Sequence, residues 1–309
     1  MLKEIIEYLR PEPGKTIVDA TVGTGGHSLA IAERILPGGR LICIDRDEES
    51  LGVAKYRLKS FGASCDFIYG NFSQLESILD SKNINSIDGI IFDLGVSSFQ
   101  LDNPQRGFSF QNEGPLDMRL DRNSYISAYD LVNNLNEEEL SAMLWNFGQE
   151  RWHNRIAHLL VEERQRHPIA TTVQLVEVVN RAMPRRYRFR HYRIHPATRT
   201  FQAVRIAVNR ELEILGSSVM KAIDYLAKDA RICVISFHSL EDRIVKNAFK
   251  LLSGKSDGFV NLNGLINEAD LGNGKFNILT KKPLTAGSDE VARNPRSRSA
   301  KLRVLERVA

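Results

Sequence analysis

The chain has 309 residues, of which 42% are hydrophobic and 26% charged, and its formal net charge is +4. This composition is typical of a globular protein long enough for two domains, and it excludes a disordered or fibrous chain. The first ten residues have apolar side chains at helical spacing interrupted by charges, and no apolar run approaches the roughly 20 residues of a membrane-spanning helix. We therefore expect a cytoplasmic protein.

The first hundred residues alternate between strand and helix patterns. Apolar runs are separated by stretches with apolar side chains at helical spacing. This alternation predicts a parallel sheet with helices on both faces. The predicted strands cover 16–20, 40–45, 65–69 and 87–94, and the predicted helices cover 28–36, 47–61 and 73–80.

A glycine-rich loop, Asp19-Ala-Thr-Val-Gly-Thr-Gly-Gly-His27, follows the first strand. Glycine lets the backbone turn sharply and approach a ligand, and the helix after the loop offers unpaired N–H groups. The next strand ends in Asp45, 22 residues after Gly23, near the spacing at which such folds bind a ribose. Ser28 replaces the third glycine of the dinucleotide fingerprint, so NAD fits poorly. The loop predicts an adenosine-containing cofactor and resembles motif I of the class I S-adenosylmethionine (SAM) methyltransferases.

The alternation of strand and helix ends after the fourth strand. Residues 94–122 are rich in Gly, Pro, Asn, Ser and Asp, which predicts a long functional loop. No strand pattern interrupts the helical patterns that follow, so we infer an inserted all-α domain over 105–198. It divides a discontinuous domain into 1–104 and 199–309. The predicted helices of the insertion cover 126–132, 136–147, 151–166 and 172–181.

The sheet pattern resumes after the insertion. One long amphipathic helix is predicted over 200–226, followed by a strand over 230–237 and a helix over 239–252. The segments 278–281 and 301–307 are predicted to pair as the last, antiparallel strands. The elements together resemble an α/β fold of the class I SAM methyltransferase type, Rossmann-like, with a mostly parallel seven-stranded sheet.

Positive charge is concentrated in two segments. Residues 181–210 contain nine arginines and no acidic residue, with aromatic side chains between them, and 293–307 contain six basic residues against one acid. Such clusters attract phosphates, and aromatic or guanidinium planes can stack on unpaired bases. The two segments predict a nucleic-acid partner. The candidate RNA-binding residues are Arg185, Arg186, Arg188, Arg190, Arg199, Arg296 and Arg298.

No metal site is predicted. His191 and His195 are four residues apart, as metal ligands can be, but no third ligand is evident around them. The three cysteines lack C-x-x-C spacing and fall in or beside predicted strands, so we expect buried free thiols.

Several longer motifs extend from the first helix to the last strand. They are Gly25-Gly-His27, Asp93-Leu-Gly-Val-Ser-Ser98, Pro115-Leu-Asp-Met-Arg119, His195-Pro-Ala-Thr-Arg-Thr-Phe-Gln202, Ile235-Ser-Phe-His-Ser-Leu-Glu-Asp-Arg243 and Arg296-Ser-Arg-Ser-Ala-Lys301. Together they resemble the ribosomal RNA small-subunit methyltransferase H family. The resemblance implies SAM-dependent methylation at N4 of one cytidine in the decoding region of the small-subunit (16S) ribosomal RNA.

The resemblance also implies which residues contact the cofactor. In this family the glycine turn holds the methionine end, the acid after strand two holds the ribose, and the residue after strand three lies beside the adenine. Carried over to this sequence, the cofactor-binding residues are Gly25, Gly26, His27, Asp45, Phe72, Asp93 and Gln100.

The sequence leaves the catalytic residue open. Amino-methyltransferases place hydrogen-bond acceptors after strand four, where they draw on the protons of an exocyclic amine. Asp93 holds this position, but the Asn/Asp-Pro-Pro-aromatic element of such enzymes is missing, and a carboxylate there could equally cap the loop or contact the cofactor. His238, at the end of strand five, and Asp117 are the other candidates.

Three other functions stay open at this point. An amino-methyltransferase of DNA or tRNA would share the cofactor, an NAD-linked oxidoreductase is disfavoured by Ser28, and a non-catalytic RNA-binding assembly factor would keep only the fold. The expected partner is small-subunit ribosomal RNA or the small ribosomal subunit. A homodimer is left open.

Overall fold

The computed structural model describes residues 1–184, 195–255 and 274–309. The chain divides into two compact units, one formed by Met1–Gly95 with Leu212–Ala309 and the other by Val96–Glu211. The second unit therefore begins before 105 and ends after 198, the limits predicted for the insertion. Its later end has a clear reason, since Ala197, Phe201 and Val204 are buried in the core of the helical unit.

The first unit contains a mixed sheet with the order β3-β2-β1-β4-β5-β8-β6 in its described residues, and β7 also pairs with β8. Strands β1 to β5 are parallel, and β8 is antiparallel to β5. The strands are β1 (Thr16–Asp19), β2 (Arg40–Asp45), β3 (Cys65–Tyr69), β4 (Ile87–Asp93), β5 (Leu226–Ser236), β6 (Phe276–Ile278), β7 (Leu284–Thr285) and β8 (Lys301–Arg307).

The two short strands β6 and β7 both pair with the same edge of β8. The described sheet therefore has eight strands in the seven positions that the sequence predicted. Ile278 pairs with Leu305 and Leu284 pairs with Leu302, on the edge of β8 opposite to β5. Pro283 lies just before β7 and has no N–H to donate to β8, which is a physical reason for the interruption. The predicted antiparallel pairing with 301–307 is confirmed, but the pairing strand covers Phe276–Ile278 and not 278–281.

Helices cover both faces of the sheet, as predicted. Alternate strand residues point to opposite faces, so Val18 and Ile42 belong to one apolar core and Ile17 and Leu41 to the other. Helices α4 (Leu75–Ser81), α11 (Glu211–Ala222) and α12 (Ser239–Leu252) pack on the first face. Helices α1 (Leu2–Leu9), α2 (Gly26–Ile35) and α3 (Glu48–Arg57) pack on the second. The helices of this part of the chain are α1 (Leu2–Leu9), α2 (Gly26–Ile35), α3 (Glu48–Arg57), α4 (Leu75–Ser81), α11 (Glu211–Ala222), α12 (Ser239–Leu252) and α13 (Ser288–Arg293).

The described residues of the second unit form helices around their own apolar core. Ser127, Asn136 and Thr171 each cap a helix, because the side chain accepts a backbone N–H in the first turn. The helices are α5 (Ser98–Asp102), α6 (Ala128–Asn134), α7 (Glu137–Gly148), α8 (His153–Arg164), α9 (Thr172–Ala182) and α10 (Ala197–Asn209). Over the whole described part of the chain, no helix has the length and apolarity needed to cross a membrane.

The prediction of one helix over 200–226 is wrong. Helix α10 ends at Asn209, Arg210 adopts a left-handed conformation with φ of 50°, and α11 follows. The apolar spacing continues through the break, but Val204 belongs to the core of the helical unit and Leu215 to the core of the sheet unit. A sequence pattern records which side chains are apolar, and it does not record that they enter two different cores.

The three cysteines are buried and free, as expected from the sequence. Burial raises the pKa of the Cys233 thiol to about 12. The thiolate is the reactive form of cysteine, so this residue is chemically inert in the folded protein.

Asp19 is a buried carboxyl group at the end of β1. It is 2% exposed, and it accepts hydrogen bonds from Ser28 Oγ at 2.7 Å and from the Thr21 N–H at 3.2 Å. Burial raises the pKa of Asp19 to about 6, although the Ser28 hydrogen bond and the charge of His27 oppose this shift. The folded protein therefore binds this proton more tightly than the unfolded chain does.

We expect Asp19→Asn to change the dependence of stability on pH. Because the folded pKa of about 6 lies above the ordinary 3.8, the protonated group stabilises the fold below about pH 4, and this contribution is lost as the pH rises through 6. Asparagine has the same shape and does not titrate. Relative to the native protein, the variant should gain about 2 kcal/mol in its free energy of unfolding between pH 4 and pH 7. Urea unfolding at the two pH values measures this difference.

Asp66→Asn is the matched control, with the opposite sign. Burial raises the pKa of Asp66, but hydrogen bonds from Arg40 and Lys82 outweigh it and the net shift is downward. The stabilisation by Asp66 is therefore present at neutral pH and is lost in acid. If the free energies of unfolding of Asp19→Asn and the native protein differed by the same amount at both pH values, the raised pKa of Asp19 would be contradicted.

Candidate functional site

Three carboxylates end neighbouring parallel strands at one edge of the sheet. Asp19, Asp45 and Asp93 are the last residues of β1, β2 and β4, and β1 lies between the other two strands. The carboxyl edge of an open parallel sheet is where such folds bind their ligands. Most of the predicted cofactor residues come from the loops at this edge.

The loop after β1 is fixed to both neighbouring strands by its backbone. The Ala20 N–H donates to the Ile91 carbonyl of β4, and the Val22 N–H donates to the Ile44 carbonyl of β2, both at 2.9 Å. The Gly23 N–H donates to Asp45 Oδ2 at 2.7 Å. Hydrogen bonds within the protein thus fix the conformation of the loop.

Gly25 begins α2 in a conformation that suits glycine alone. Its φ is 81°, and a Cβ atom at this position would lie 3.3 Å from Ala54 of α3. No side chain caps α2 at its N-cap position. The first N–H groups of the helix, beginning with Gly26, therefore face a point where a polar ligand group can accept them.

Asp45 is held so that it can still accept further hydrogen bonds. Its Oδ2 accepts the Gly23 N–H, and its Oδ1 accepts the Asp47 N–H at 2.9 Å. Burial raises the pKa of Asp45, while these two backbone hydrogen bonds oppose the shift. Each carboxylate oxygen has a second lone pair, so the group can receive the two hydroxyls of a ribose.

Phe72 provides an apolar ring after β3. Its ring packs edge-to-face on Phe92 of β4, with centroids 5.7 Å apart and planes at 85°. Phe92 directly precedes Asp93. The contact places Phe72 beside the ends of the strands that carry the carboxylates.

Asp93 and His27 form a pair at the end of β4. His27 Nδ1 lies 3.4 Å from Asp93 Oδ2, and the Asp93 N–H donates to Thr21 Oγ1 at 2.6 Å. Burial lowers the pKa of His27, but the hydrogen bond and charge of Asp93, with the charge of Asp19, outweigh it, and the net shift is upward.

The other oxygen of Asp93 is buried and has no hydrogen-bond partner among the residues that the structure describes. A buried carboxylate oxygen in this state is costly unless a ligand supplies a donor. This orphaned atom is the strongest sign of a ligand site at this edge.

Gln100 and Asp117 belong to the helical unit, and each has local partners. The Gln100 side chain accepts the Ser97 N–H at 2.8 Å in the capping box of α5. Both Asp117 oxygens accept from the Arg119 guanidinium, at 2.9 and 2.7 Å. The contacts of Asp117 are those of a structural clamp and not of a general base.

His238 begins α12 as its N-cap residue. It accepts the Glu241 N–H through Nδ1 at 3.4 Å, and the Glu241 carboxylate accepts the N–H groups of Phe237 and His238. His238 Nε2 lies 3.1 Å from Glu241 Oε1. These contacts give His238 a role in fixing the turn between β5 and α12.

The candidate RNA-binding residues fall in three places. Arg199 of α10 donates to the Gln149 carbonyl at 3.2 Å. Arg296 and Arg298 are exposed in a short 3₁₀ helix before β8. Arg185, Arg186, Arg188 and Arg190 lie outside the described residues.

The histidine pair considered as metal ligands has one described member. His191 lies outside the described residues, and His195 Nδ1 accepts the Ala197 N–H at 3.1 Å. The His195 ring also lies 4.7 Å from the ring of Phe110. The His195 side chain therefore packs on Phe110 and accepts a backbone N–H at the start of α10.

Sequence reasoning missed Thr21 and the partnership of His27 with Asp93. Thr21 Oγ1 accepts the Asp93 N–H across 72 residues of sequence. The only local signal was a hydroxyl two residues after the acid of the glycine loop, and its partner could not be read from that spacing.

Curated proteins resemble this chain over its full length. A protein of Halothermothrix orenii named ribosomal RNA small subunit methyltransferase H is 45% identical, with 100% of this chain and 97% of that protein covered. The protein of the same name from Trichlorobacter lovleyi is 46% identical, with the same coverage of both chains. The resemblance inferred from the motifs is confirmed.

Among solved structures, an SAM-dependent O-methyltransferase from Thermotoga maritima is 9% identical to this chain, with a TM-score of 0.41. The alignment covers 100% of this chain and 64% of the chain in that structure.

A model of one protein family matches almost the whole chain. The model described as the MraW methylase family matches residues 1–308. A methylase family on a class I methyltransferase fold confirms the predicted cofactor, SAM, at the level of the family. With this match and the full-length relatives, the chain belongs to the MraW methylase family.

Proposed function

We propose that this methyltransferase transfers the methyl group of SAM to N4 of one cytidine in the decoding region of small-subunit ribosomal RNA. The observation that carries the proposal is the convergence of the glycine turn, Asp45 and the orphaned oxygen of Asp93 at one edge of the sheet. The substrate is supported by the names of the full-length relatives and by the family resemblance of the motifs.

The residues at this edge fit the cofactor. Asp45 would accept the ribose hydroxyls, the glycine turn and the first N–H groups of α2 would receive the methionine end, and Phe72 would lie beside the adenine. The family resemblance implies Gln100 as a further cofactor contact. When bound, SAM supplies a methyl group on a positively charged sulfur, which is activated for transfer to a nucleophile.

Asp93 would act on the methyl acceptor. The lone pair of an exocyclic amine is delocalised into the base, so the amine is a poor nucleophile. The Asp93 side chain is 30% exposed, and its carboxylate can accept an amine N–H, which holds the amine in position and draws electron density back to nitrogen. His27 contacts this carboxylate, and Thr21 holds the backbone N–H of Asp93.

The helical unit and the basic segments would hold the RNA. The exposed Arg296 and Arg298 and the arginines of 181–210 offer the charge that phosphates need. A stacked base must be exposed before its amine can react, and extrusion typically costs a few kcal/mol. We therefore assign the inserted unit to recognition of the substrate.

The direct test is methylation of small ribosomal subunits and of naked ribosomal RNA with labelled SAM, followed by nucleoside analysis. We expect label on N4-methylcytidine. Label on tRNA or duplex DNA instead would favour another amino-methyltransferase. RNA binding without any transfer of label would favour a non-catalytic assembly factor.

Asp45→Asn should weaken the binding of SAM by about 10- to 100-fold. Hydrogen bonds to a charged acceptor contribute about 1.5–3 kcal/mol, and the amide has one acceptor oxygen instead of two. Titration calorimetry with SAM measures the loss. Asp66→Asn, a change at an ion pair on β3, is the control and should leave the affinity unaltered. Equal affinities for all three proteins would contradict the assignment of Asp45.

Asp93→Asn should lower kcat by about 100-fold or more, because the amide is a much weaker acceptor for the amine proton. Single-turnover methyl transfer to the RNA measures this rate. The Kd for SAM, measured separately, should change by much less than kcat. A large loss of SAM affinity with an unchanged rate at saturation would instead show that Asp93 binds the cofactor alone.

Replacing Arg185, Arg186, Arg188 and Arg190 together by glutamine should weaken RNA binding and leave SAM affinity unchanged. The logarithm of the RNA association constant falls linearly with the logarithm of the salt concentration. Each lost contact to a phosphate of single-stranded RNA should make this slope less steep by about 0.7. Binding isotherms at several salt concentrations give this slope. Unchanged RNA affinity and slope would refute the placement of RNA on this segment.

A further inference from the structure

The end of β4 is held on both sides, and one of the two partners is a side chain. The Leu94 N–H donates to the Ile235 carbonyl of β5 at 3.0 Å. The Asp93 N–H points the other way, toward β1, and donates to Thr21 Oγ1 at 2.6 Å. The peptide group that precedes the Asp93 side chain therefore depends on one hydroxyl for its hydrogen bond on the β1 side.

This hydroxyl takes the place of a backbone carbonyl in the sheet. Strands β1 and β4 are parallel, with Asp19 paired to Ile91, and the Ala20 N–H donates to the Ile91 carbonyl at 2.9 Å. In a regular parallel ladder, the Ala20 carbonyl would also accept the Asp93 N–H. Strand β1 instead ends at Asp19, and the chain turns into the glycine loop. Thr21 Oγ1 supplies the acceptor that the turning backbone does not supply.

Thr21 is itself fixed to the sheet. Its N–H donates to Asp19 Oδ1 at 3.2 Å, and the other oxygen of this buried carboxyl group accepts from Ser28. The N–H of the next residue, Val22, donates to the Ile44 carbonyl of β2. Threonine is branched at Cβ, which restricts the rotation of its side chain about χ1. The position of Oγ1 is thus set by two strands and a buried carboxyl group.

The placement of Asp93 matters because methyl transfer depends on geometry. The nucleophile, the methyl carbon and the leaving sulfur must lie in line, and a displacement of about 1 Å can cost on the order of 100-fold in rate. Without Thr21 Oγ1, the partly buried Asp93 N–H would lose its acceptor. An unpaired N–H is costly, so the peptide would shift toward another acceptor and move the carboxylate with it.

We propose that Thr21 is a positioning residue for methyl transfer and that it acts through Asp93. This inference rests on the proposed function, because it assumes that the Asp93 carboxylate holds the acceptor amine. A residue that only stabilised the glycine loop would affect the binding of SAM. A residue that positions Asp93 affects the rate of transfer when SAM is saturating.

The first variant is Thr21→Val, which keeps the branched shape and removes the acceptor. With saturating SAM and small ribosomal subunits, its single-turnover rate should fall by about 10-fold, while the Kd for SAM should change by less than about twofold. Thr21→Ser keeps the hydroxyl and should retain most of the native rate. Thr16→Val is the matched control, because Thr16 is also a half-buried threonine and lies at the opposite end of β1. It should leave the rate and the Kd unchanged.

A double-mutant cycle separates positioning from a general effect on the fold. In the Asp93→Asn background the carboxylate is already absent, so adding Thr21→Val should lower the rate by less than about twofold. Equal losses of rate with and without the Asp93 carboxylate would show that Thr21 acts elsewhere, and they would overturn the proposal.

Amide exchange tests the contact independently of activity. In protein that carries isotopically labelled aspartate, NMR should show the Asp93 amide exchanging faster with solvent in Thr21→Val than in the native protein or in Thr21→Ser. Unchanged exchange would contradict the contact on which the proposal depends. Thermal unfolding shows whether each variant folds, and Thr21→Ala, which removes the same acceptor without adding bulk, replaces Thr21→Val if the valine variant does not fold.

Two kinetic results would also overturn the proposal. One is a native rate at saturating SAM in Thr21→Val, and the other is a loss confined to SAM affinity, since Thr21 would then support only the cofactor loop. The rate is measured on whichever nucleoside carries the label. Label on a nucleoside other than N4-methylcytidine would therefore refute the proposed function, and the same comparison of rates would still decide the role of Thr21. A native protein that transfers no label would refute both.

Discussion

The hydrogen bond from the Gly23 N–H to Asp45 Oδ2 is the contact on which the rest of the site depends. It joins the loop after β1 to the end of β2, and the loop is also bonded to β4 through Ala20. Three parallel strands and one glycine turn thereby become a single rigid edge. Because the donors and acceptors are already oriented, a ligand that binds there meets little cost of reorganisation. The conformation of Gly25 at the start of α2 belongs to the same arrangement.

Three carboxylates at this edge differ because their surroundings differ. Asp19 is fully buried and bonded to Ser28, and burial raises its pKa to about 6. Within the described residues, the Asp45 carboxylate accepts backbone N–H groups only, and each of its oxygens has a second lone pair. Asp93 faces an imidazole with one oxygen and has a second, buried oxygen without a partner in the described residues. Burial, hydrogen bonding and neighbouring charge thus give three residues of the same type three different environments.

The helical unit uses its polar motifs for scaffolding. Arg106 is 1% exposed and donates to the carbonyls of Arg119 and Leu120, and Asn209 donates to the Met118 carbonyl and accepts the Leu120 N–H. A buried guanidinium with carbonyl partners fixes backbone that has no regular secondary structure of its own. The long Gly- and Pro-rich segment after β4 is therefore ordered by side chains from distant parts of the chain. Such order is what a surface that recognises a large substrate requires.

The sequence by itself determined strands β1 to β5, the glycine turn and the acids at the strand ends. Apolar runs, glycine and a strand-terminal Asp45 act locally, and β2, β3 and α12 have the predicted limits. Only the tertiary structure decided that Asp117 clamps Arg119, that Thr21 receives the Asp93 N–H, and that the apolar spacing of 200–226 divides at Arg210 between two cores. These features join residues far apart in sequence or depend on which core a side chain enters. Local pattern fixes backbone conformation and hydrophobic faces, whereas the choice of partner is made by packing.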